Sequence, residues 1–272
     1  MKMSWKAVVI SLFLLACSAR ILAQSAAWMS LSTTGGPTYG SPSVVYSAAS
    51  NRAILFGGVT GAASCCPSFN DVWVLTNANG LGQSPVWIQL SPETPNGVPS
   101  PRSFHSAVYD AANNRMIIFG GGQFTGGLFN PMFNDVWVLT NADGLGGTPA
   151  WSPLSPSGNS PAPRTGHGAA YDAVNNRMIV FGGANNGIMS VPNDVWVLTN
   201  ANGIGGASTW IQLIQGGNCP PPLEKFALWY DPASNRITIF GGCCFWTNNT
   251  WLLTNANGLG DTPVWSQLFP SG

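Results

Sequence analysis

Short apolar segments recur along the chain in a fixed order, each bounded by turn residues. The segment 113–121 reads Asn-Asn-Arg-Met-Ile-Ile-Phe-Gly-Gly, and the segment 175–183 differs from it at a single position. Two looser copies flank this pair. The phenylalanines that precede the glycine pairs are spaced by 63, 62 and 59 residues, and they are Phe56, Phe119, Phe181 and Phe240. Self-similarity at a fixed period of this kind predicts a repeat array or a propeller.

Each repeat contains four predicted strands, named a to d in chain order. Strand a is predicted at Phe104–Tyr109, Gly166–Tyr171 and Lys225–Tyr230, each followed by an aspartate and turn residues. Strand b is an arginine followed by an almost continuous apolar run, which indicates burial on both faces. Strand c reads Asp-Val-Trp-Val-Leu-Thr in three copies. Strand d is predicted at Trp87–Leu90, Ala150–Leu154, Trp210–Leu213 and Trp265–Leu268.

A four-stranded meander repeated around an axis is a propeller blade, so the sequence predicts an all-β protein. We expect the propeller to occupy residues 24–272. Its four blades are predicted at about 38–90, 101–154, 163–213 and 222–268. Residues 28–31 look like an extra N-terminal strand d, and residues 268–272 look like the lead-in to a further blade. This count of blades leaves open an incomplete or open ring.

These landmarks resemble the kelch repeat, whose pattern begins Pro-Arg-x-x-His and continues through a glycine pair, Asn-Asp-Val and a final tryptophan. Residues 101–105 and 163–167 match its opening. The fourth copy departs from the pattern, with Pro222–Phe226 at its opening and Asn248-Asn249-Thr250 in place of Asn-Asp-Val. The resemblance implies a propeller of usually five to seven blades that binds partners or sugars through the loops on one face.

Eight tryptophans hold two fixed positions of the repeat, one in strand c and one in strand d. Because they recur, we predict that they fill the space between neighbouring sheets rather than stack on sugars. The eight are Trp73, Trp137, Trp196, Trp251, Trp87, Trp151, Trp210 and Trp265.

The composition excludes one class of function. Hydrophobic residues make up 45% of the 272 residues and charged residues only 7%, against roughly 25% charged in ordinary soluble domains. The formal net charge is zero. A chain with so few cations cannot neutralise a run of phosphates, so we expect no nucleic-acid partner.

The N-terminus is typical of an export signal, because two lysines precede a short apolar run. Residues 1–23 are the predicted signal peptide, with ordinary cleavage before Gln24. The sequence Leu14-Leu15-Ala16-Cys17 also resembles a bacterial lipobox, in which Cys17 would be lipidated. The mature chain is thus expected to be extracellular, periplasmic or an outer-membrane lipoprotein, with no membrane contact other than a lipid anchor.

Most candidate catalytic groups belong to the repeat. The only two histidines, His105 and His167, are equivalent residues of successive copies, and zinc normally needs three or four converging ligands. Galactose oxidase, a kelch relative, holds copper with histidines, tyrosines and a crosslinked cysteine, but no local motif here groups such residues. The Asn-Ala-Asn-Gly hairpins lack the distal glutamate of a calcium loop. We expect no cofactor and no catalytic residues.

Residues outside the repeat lie in the loops between strands b and c and between strands d and a, which share one edge of a meander propeller. We call this edge the loop rim. It carries apolar candidates for ligand or partner binding, and the alternative is that they fold down as a lid over the channel. The candidates are Phe69, Phe124, Phe129, Met132, Phe133, Met189, Phe245 and Trp246.

Cysteines lie in the same loops, and export makes disulfides feasible. A bridge between Cys219 and one member of the pair Cys243-Cys244 is the first expectation. Cys65 or Cys66 could bridge to the other member if the first and fourth blades were neighbours. Vicinal disulfides and a thiolate metal site remain open alternatives.

Two functions from different classes follow from these observations. The first is an exported, non-catalytic propeller that binds a protein or a glycan through the loop rim. The second is a carbohydrate-active or galactose oxidase-like enzyme.

Overall fold

The computed structural model describes residues 30–60, 67–125, 128–185, 192–243 and 248–269. The chain divides into two compact units, Met1–Leu31 and Ser32–Gly272, and every described strand lies in the second. Ser30 and Leu31 are not part of a strand, and the rest of the predicted N-terminal strand lies outside the described residues.

The described residues form β-strands and no helix. In chain order the strands are β1 Ser43–Ser47, β2 Arg52–Val59, β3 Ser68–Thr76, β4 Trp87–Leu90, β5 Ser106–Asp110, β6 Arg115–Phe119, β7 Gly122–Thr125, β8 Leu128–Met132, β9 Val136–Thr140, β10 Ala150–Leu154, β11 Gly168–Asp172, β12 Arg177–Phe181, β13 Val195–Thr199, β14 Thr209–Leu213, β15 Gly216–Gly217, β16 Ala227–Asp231, β17 Arg236–Phe240, β18 Thr250–Thr254 and β19 Val264–Leu268.

Four of the sheets repeat one antiparallel meander. The first sheet is β1-β2-β3-β4, the second β5-β6-β9-β10, the third β11-β12-β13-β14 and the fourth β16-β17-β18-β19. Strand β15 adds a parallel fifth strand outside β19, and β7 and β8 form a separate hairpin inserted in the second repeat. The predicted all-β propeller with four four-stranded blades is confirmed.

Strand a starts two residues later than the sequence predicted in the last three repeats. Phe104 and Lys225 have φ angles of 54°, and Gly166 has a φ of 65°. These left-handed conformations are incompatible with a strand, so the regular pairing begins only at β5, β11 and β16.

Three apolar layers fill the spaces between successive sheets. Strand b supplies side chains to both of its faces, as its continuous apolar sequence predicted: Ile117 and Phe119 pack toward the third sheet, whereas Met116 and Ile118 pack toward the first. The inner strands touch in the order β1, β5, β11 and β16. No comparable contact joins β16 to β1, two strands that the structure describes in full, so the described sheets show no ring closure.

The tryptophans of strand d pack across these layers. Trp151, Trp210 and Trp265 are buried, and each ring lies about 5 Å from the phenylalanine that precedes the glycine pair of the preceding repeat. The expected packing role is confirmed for these three. Side chains of this size account for much of the apolar area that each junction buries.

Candidate functional site

A buried arginine ties the start of a repeat to its own strand c. Arg102 is 0% exposed and donates from both terminal nitrogens to the Asp135 carboxylate, at 2.6 and 2.8 Å. Arg164 makes the same bidentate contact with Asp194, at 2.7 and 3.0 Å. Burial alone would raise the pKa of Asp194, but the hydrogen bonds and charge of the arginine lower it below its ordinary value.

Neither outer repeat has this ion pair. In the first repeat Tyr39 stands at the arginine position and donates a long hydrogen bond to Asp71, at 3.4 Å. In the fourth repeat the two positions are Leu223, which is buried, and Asn249. In the fourth repeat both charges are absent together, so no carboxylate is left there without an arginine.

The two histidines link neighbouring repeats through serine hydroxyls. The Nε2 atom of His105 lies 2.6 Å from the Ser43 hydroxyl of the first sheet, and that of His167 lies 2.8 Å from the Ser106 hydroxyl of the second. Burial, reinforced by the nearby Arg164, lowers the pKa of His167 to about 3. Both imidazoles are therefore neutral structural ties between sheets.

Next to these ties, backbone hydrogen bonds join the residues that precede strand a in successive repeats, and we call the row of Phe104, Gly166 and Lys225 the mouth. The backbone nitrogen of Gly166 donates to the Phe104 carbonyl, and that of Lys225 donates to the Gly166 carbonyl, both at 2.8 Å. These residues occupy one repeat position and all have positive φ. A phenylalanine and a lysine held in this conformation carry backbone strain, which is commonest at functional sites.

The hairpin β7–β8 stands on the loop rim beside the mouth. Phe124 and Phe129 face each other across it, with ring centroids 5.2 Å apart, and Phe104 packs on Phe129 at 5.3 Å. We call Phe104, Phe124 and Phe129 the aromatic cluster. Leu128 at the end of the hairpin is 65% exposed, and the Phe124 nitrogen donates to the Ser68 hydroxyl of the first repeat at 3.0 Å.

The structure separates the predicted rim residues into two groups. Phe124 and Phe129 belong to the partly exposed aromatic cluster. Phe69 stacks on Tyr39 with centroids 4.3 Å apart, and Phe133 lies under the Arg102 guanidinium at 4.2 Å, so these two serve packing. Met132 pairs with Gly122 at the base of the hairpin. The other three predicted rim residues, Met189, Phe245 and Trp246, lie outside the described residues.

Sequence reasoning missed three residues of the rim. The sequence predicts Phe104 and Lys225 as the first residues of strand a, and it does not single out Leu128. The Lys225 Nζ atom lies 5.2 Å from the Phe104 ring and 3.5 Å from Glu224 Oε1. The departure of the fourth repeat from Pro-Arg-x-x-His was the available signal for Lys225.

Of the cysteines that were predicted to form disulfides, the structure describes Cys219 and Cys243. Cys219 is exposed with a free thiol, and the Cys243 thiol donates to Glu224 Oε1 at 2.9 Å, so these two do not form a bridge. The alternative partner Cys244, together with Cys65, Cys66 and Cys17, lies outside the described residues.

Within the described ranges, no group of three or more His, Cys, Asp or Glu side chains converges on a point where a metal ion could bind. In the same ranges no helix is long and apolar enough to cross a membrane.

The four radial sheets and their shared mouth define the chain as a β-propeller. The family described as the KLHDC2/KLHL20/DRC7 Kelch-repeats domain matches residues 124–272, more than half of the sequence. The chain belongs to the kelch-repeat family, as the sequence predicted.

Three curated proteins illustrate the range of relatives. The chain is 31% identical to human Host cell factor 2 over 49% of its length, and the match covers 16% of that protein. It is 34% identical over 53% of its length to the Leucine-zipper-like transcriptional regulator 1 homolog of Drosophila melanogaster, 13% of which is covered. The human Rab9 effector protein with kelch motifs is 30% identical over 44% of the chain, which covers 31% of it. The chain thus spans less than a third of each of these relatives.

Solved structures support the fold alone. The chain resembles YjhT with a TM-score of 0.56 and 15% identity, over 86% of this chain and 66% of that one. A chain of the RAG complex with one melted and one unmelted RSS gives a TM-score of 0.55 and 11% identity, over 85% and 66% of the two chains.

Proposed function

We propose that this propeller is a non-catalytic scaffold that binds a partner polypeptide through the loop rim. The observation that carries the proposal is the aromatic cluster with the exposed Leu128 beside it. Partially exposed aromatic side chains that are held rigid before binding lose little entropy when a partner docks, and they dominate the energetics of many interfaces.

The anchoring of the cluster favours a binding role over simple packing. The Ser68 hydroxyl fixes the hairpin backbone, and the strained Phe104 fixes the third ring. The human relative whose printed name is Rab9 effector protein with kelch motifs also supports a protein partner.

The surroundings indicate the chemistry of the partner. Lys225, with a side chain 47% exposed, has its Nζ atom 5.2 Å from the Phe104 ring of the cluster. A polypeptide that presents an apolar or aromatic side chain next to a carboxylate would contact both the rings and this ammonium group. A glycan is the alternative ligand, because aromatic rings also stack on sugars.

The test is binding to a combined protein, peptide and glycan array, followed by affinity measurements with the strongest ligand. Phe124→Ala and Leu128→Ser are expected to weaken binding of a peptide or protein by about 1–3 kcal/mol each, the usual range for an interface anchor. Val174→Ser is the matched control, since Val174 is 85% exposed in a turn remote from the rim sequence. Equal affinities for all three variants would contradict the proposal, and binding to glycans alone would support the alternative.

We further propose that the chain acts after export. The support is the N-terminal sequence, with its lysines, its apolar run and the segment 14–17. Mass spectrometry of the mature N-terminus distinguishes Gln24 as the first residue from a lipidated Cys17, and an unprocessed Met1 would contradict export through this signal.

A further inference from the structure

The edge of the sheets opposite the loop rim carries one exposed aliphatic side chain in every repeat. The a-to-b turns and the c-to-d hairpins of each meander share this edge, which we call the base. The residue that follows Asn-Gly or Asp-Gly in each c-to-d hairpin is leucine or isoleucine, and its exposed fraction lies between 40% and 71%. We call these four residues the aliphatic row, and they are Leu81, Leu145, Ile204 and Leu259.

The hairpins hold the aliphatic row rigidly. The backbone nitrogen of each row residue donates to the side-chain Oδ1 atom of the residue two positions earlier, at 2.8 to 3.0 Å. The same Oδ1 atom accepts from an asparagine in the a-to-b turn of its own repeat, at 2.5 to 2.7 Å. A glycine stands on each side of every row residue, so the aliphatic side chain protrudes alone. A side chain fixed in this way loses little entropy when a partner binds.

Packing between repeats does not account for the aliphatic row. The close contact with the preceding repeat is made at the glycine before the row residue. A Cβ atom at Gly144 would lie 3.0 Å from the Leu90 side chain, and one at Gly203 would lie 3.2 Å from Leu154. An aliphatic side chain that stays at least 40% exposed gains little from folding, so its recurrence in four hairpins indicates a surface that a partner covers.

The polar positions beside the aliphatic row complement their own reverse order. Two residues after each row residue the four hairpins carry, in chain order, Gln83, Gly147, Gly206 and Asp261, and all four are exposed. When this order is placed against its own reverse, glutamine faces aspartate and glycine faces glycine. The glutamine amide can donate to the carboxylate, and the glycines leave room for the row residues to approach each other. The two Asp261 carboxylates stay apart in this arrangement.

We propose that two copies of this chain associate base to base, around a two-fold axis that passes between the second and third repeats. Equivalent residues of repeats arranged around one axis lie at one height and one radius, so the aliphatic row matches its own reverse. Leu81 of one copy then meets Leu259 of the other. Leu145 meets Ile204 in the same way. About twenty residues of the four hairpins are exposed, which is the number that one side of a standard interface contains.

This association leaves both loop rims accessible. Base and rim are opposite edges of the sheets, so the two rims of the dimer face away from each other. The dimer would therefore present two copies of the rim surface to its partners, which raises the apparent affinity for any partner that can reach both. The association itself is measured without a rim partner, so it stands or falls independently of the proposed rim function.

Size-exclusion chromatography with light scattering on the full chain tests the association. The expected mass is twice the 28.5 kDa of one chain. A monomer at concentrations up to about 100 μM would overturn the proposal, because an interface of standard size binds more tightly than this. A monomer that sediments with vesicles of phosphatidylcholine would also overturn it, since the aliphatic row would then insert into lipid.

Substitution at the centre of the aliphatic row tests the contact surface. The double variant Leu145→Ser with Ile204→Ser is expected to raise the dissociation constant at least about 100-fold, because the two-fold axis removes four central side chains from one interface. Ile214→Ser is the matched control, since Ile214 is 87% exposed in a d-to-a connection at the opposite edge. Near-ultraviolet circular dichroism verifies that both variants are folded. Equal dissociation constants for the folded row variant and the control would overturn the proposal.

An exchange of the two polar residues tests the register. Gln83→Asp places a carboxylate opposite Asp261 at both ends of the interface and is expected to raise the dissociation constant roughly 10-fold, since the two-fold axis repeats the repulsion. Adding Asp261→Gln exchanges the two residues and is expected to restore the wild-type dissociation constant. An unchanged constant in Gln83→Asp, or a double variant that binds as weakly as the single one, overturns the proposed pairing of the hairpins.

Discussion

His167 and Ser106 contact each other at the junction between the second and third sheets. This pair can be replaced by the phenylalanine and glycine that occupy the same two positions at the junction between the third and fourth sheets. His167 contacts the Ser106 hydroxyl there, whereas Phe226 occupies the corresponding place beside Gly168. A Cβ atom at position 168 would lie 2.6 Å from the Phe226 ring, which is too close for any side chain. The double variant His167→Phe with Ser106→Gly should therefore be accommodated, and each single variant should not.

The cost of each single change follows from these contacts. His167→Phe pushes a ring against the Ser106 side chain and is expected to cost about 1–3 kcal/mol through overpacking, with about 1 kcal/mol more for the lost hydrogen bond. Ser106→Gly leaves the His167 Nε2 atom without its partner in a buried site, which costs about 1–3 kcal/mol. The loss of unfolding free energy in the double variant should be smaller than the sum of the losses in the two single variants by at least about 1 kcal/mol.

The same substitution changes the dependence of stability on pH. The pKa of His167 is lowered to about 3 in the folded protein, from an ordinary value near 6.5. The folded state therefore binds this proton less readily than the unfolded state. Its contribution to stability is complete above pH 6.5 and is lost as the pH falls toward 3, by up to about 1.4 kcal/mol per pH unit. Burial also lowers the pKa of His105, so the wild type has two such groups and the double variant keeps one.

Urea unfolding followed by tryptophan fluorescence at pH 7, 6, 5 and 4.5 measures both effects, in a range above the titration of ordinary aspartates. The double variant should lose stability less steeply than the wild type as the pH falls. Two results would refute the assignment of His167 and Ser106 as an uncharged contact between sheets. One is a double variant whose loss of stability equals the sum of the single losses, and the other is a double variant whose stability depends on pH as steeply as that of the wild type.

Two further predictions concern the interior. Arg164→Leu should lower the free energy of unfolding by about 3 kcal/mol because it leaves the Asp194 carboxylate unpaired. Adding Asp194→Asn should recover most of that loss, since the fourth repeat carries leucine and asparagine at these two positions. Absence of any recovery in thermal unfolding would contradict this explanation. Trp210→Ala should cost about 3 to 5 kcal/mol, whereas Ile214→Ala at an 87% exposed position should stay within about 0.5 kcal/mol. Similar unfolding temperatures for these last two variants would contradict the packing role of the strand-d tryptophans.

The four-stranded meanders could be predicted because every repeat carries the same apolar pattern. A strand b that is apolar at every position needs neighbours on both faces, and this requirement already implies radial packing. The recurrence of His105 and His167 at one repeat position likewise favoured a structural role, and the structure shows each bonded to a serine of the preceding sheet.

The candidate site was less accessible to sequence reasoning. The start of strand a was placed too early because the positive φ at Phe104 and Lys225 has no signature in residue types that usually avoid it. The hairpin β7–β8 occurs in a segment without a repeated counterpart, so its pairing of Phe124 with Phe129 left no periodic trace. Equally, the packing of Phe133 under Arg102 joins residues far apart in the sequence.

Amide hydrogen exchange of the chain, free and bound to its array-selected partner, tests the central claim most directly, because it locates the binding surface without altering it. The account predicts slower exchange in β7 and β8 and in the mouth at residues 103–105 and 223–226. Protection confined to the turns at 111–114 and 173–176, with unchanged exchange in the hairpin, would contradict the claim that the loop rim is the binding surface.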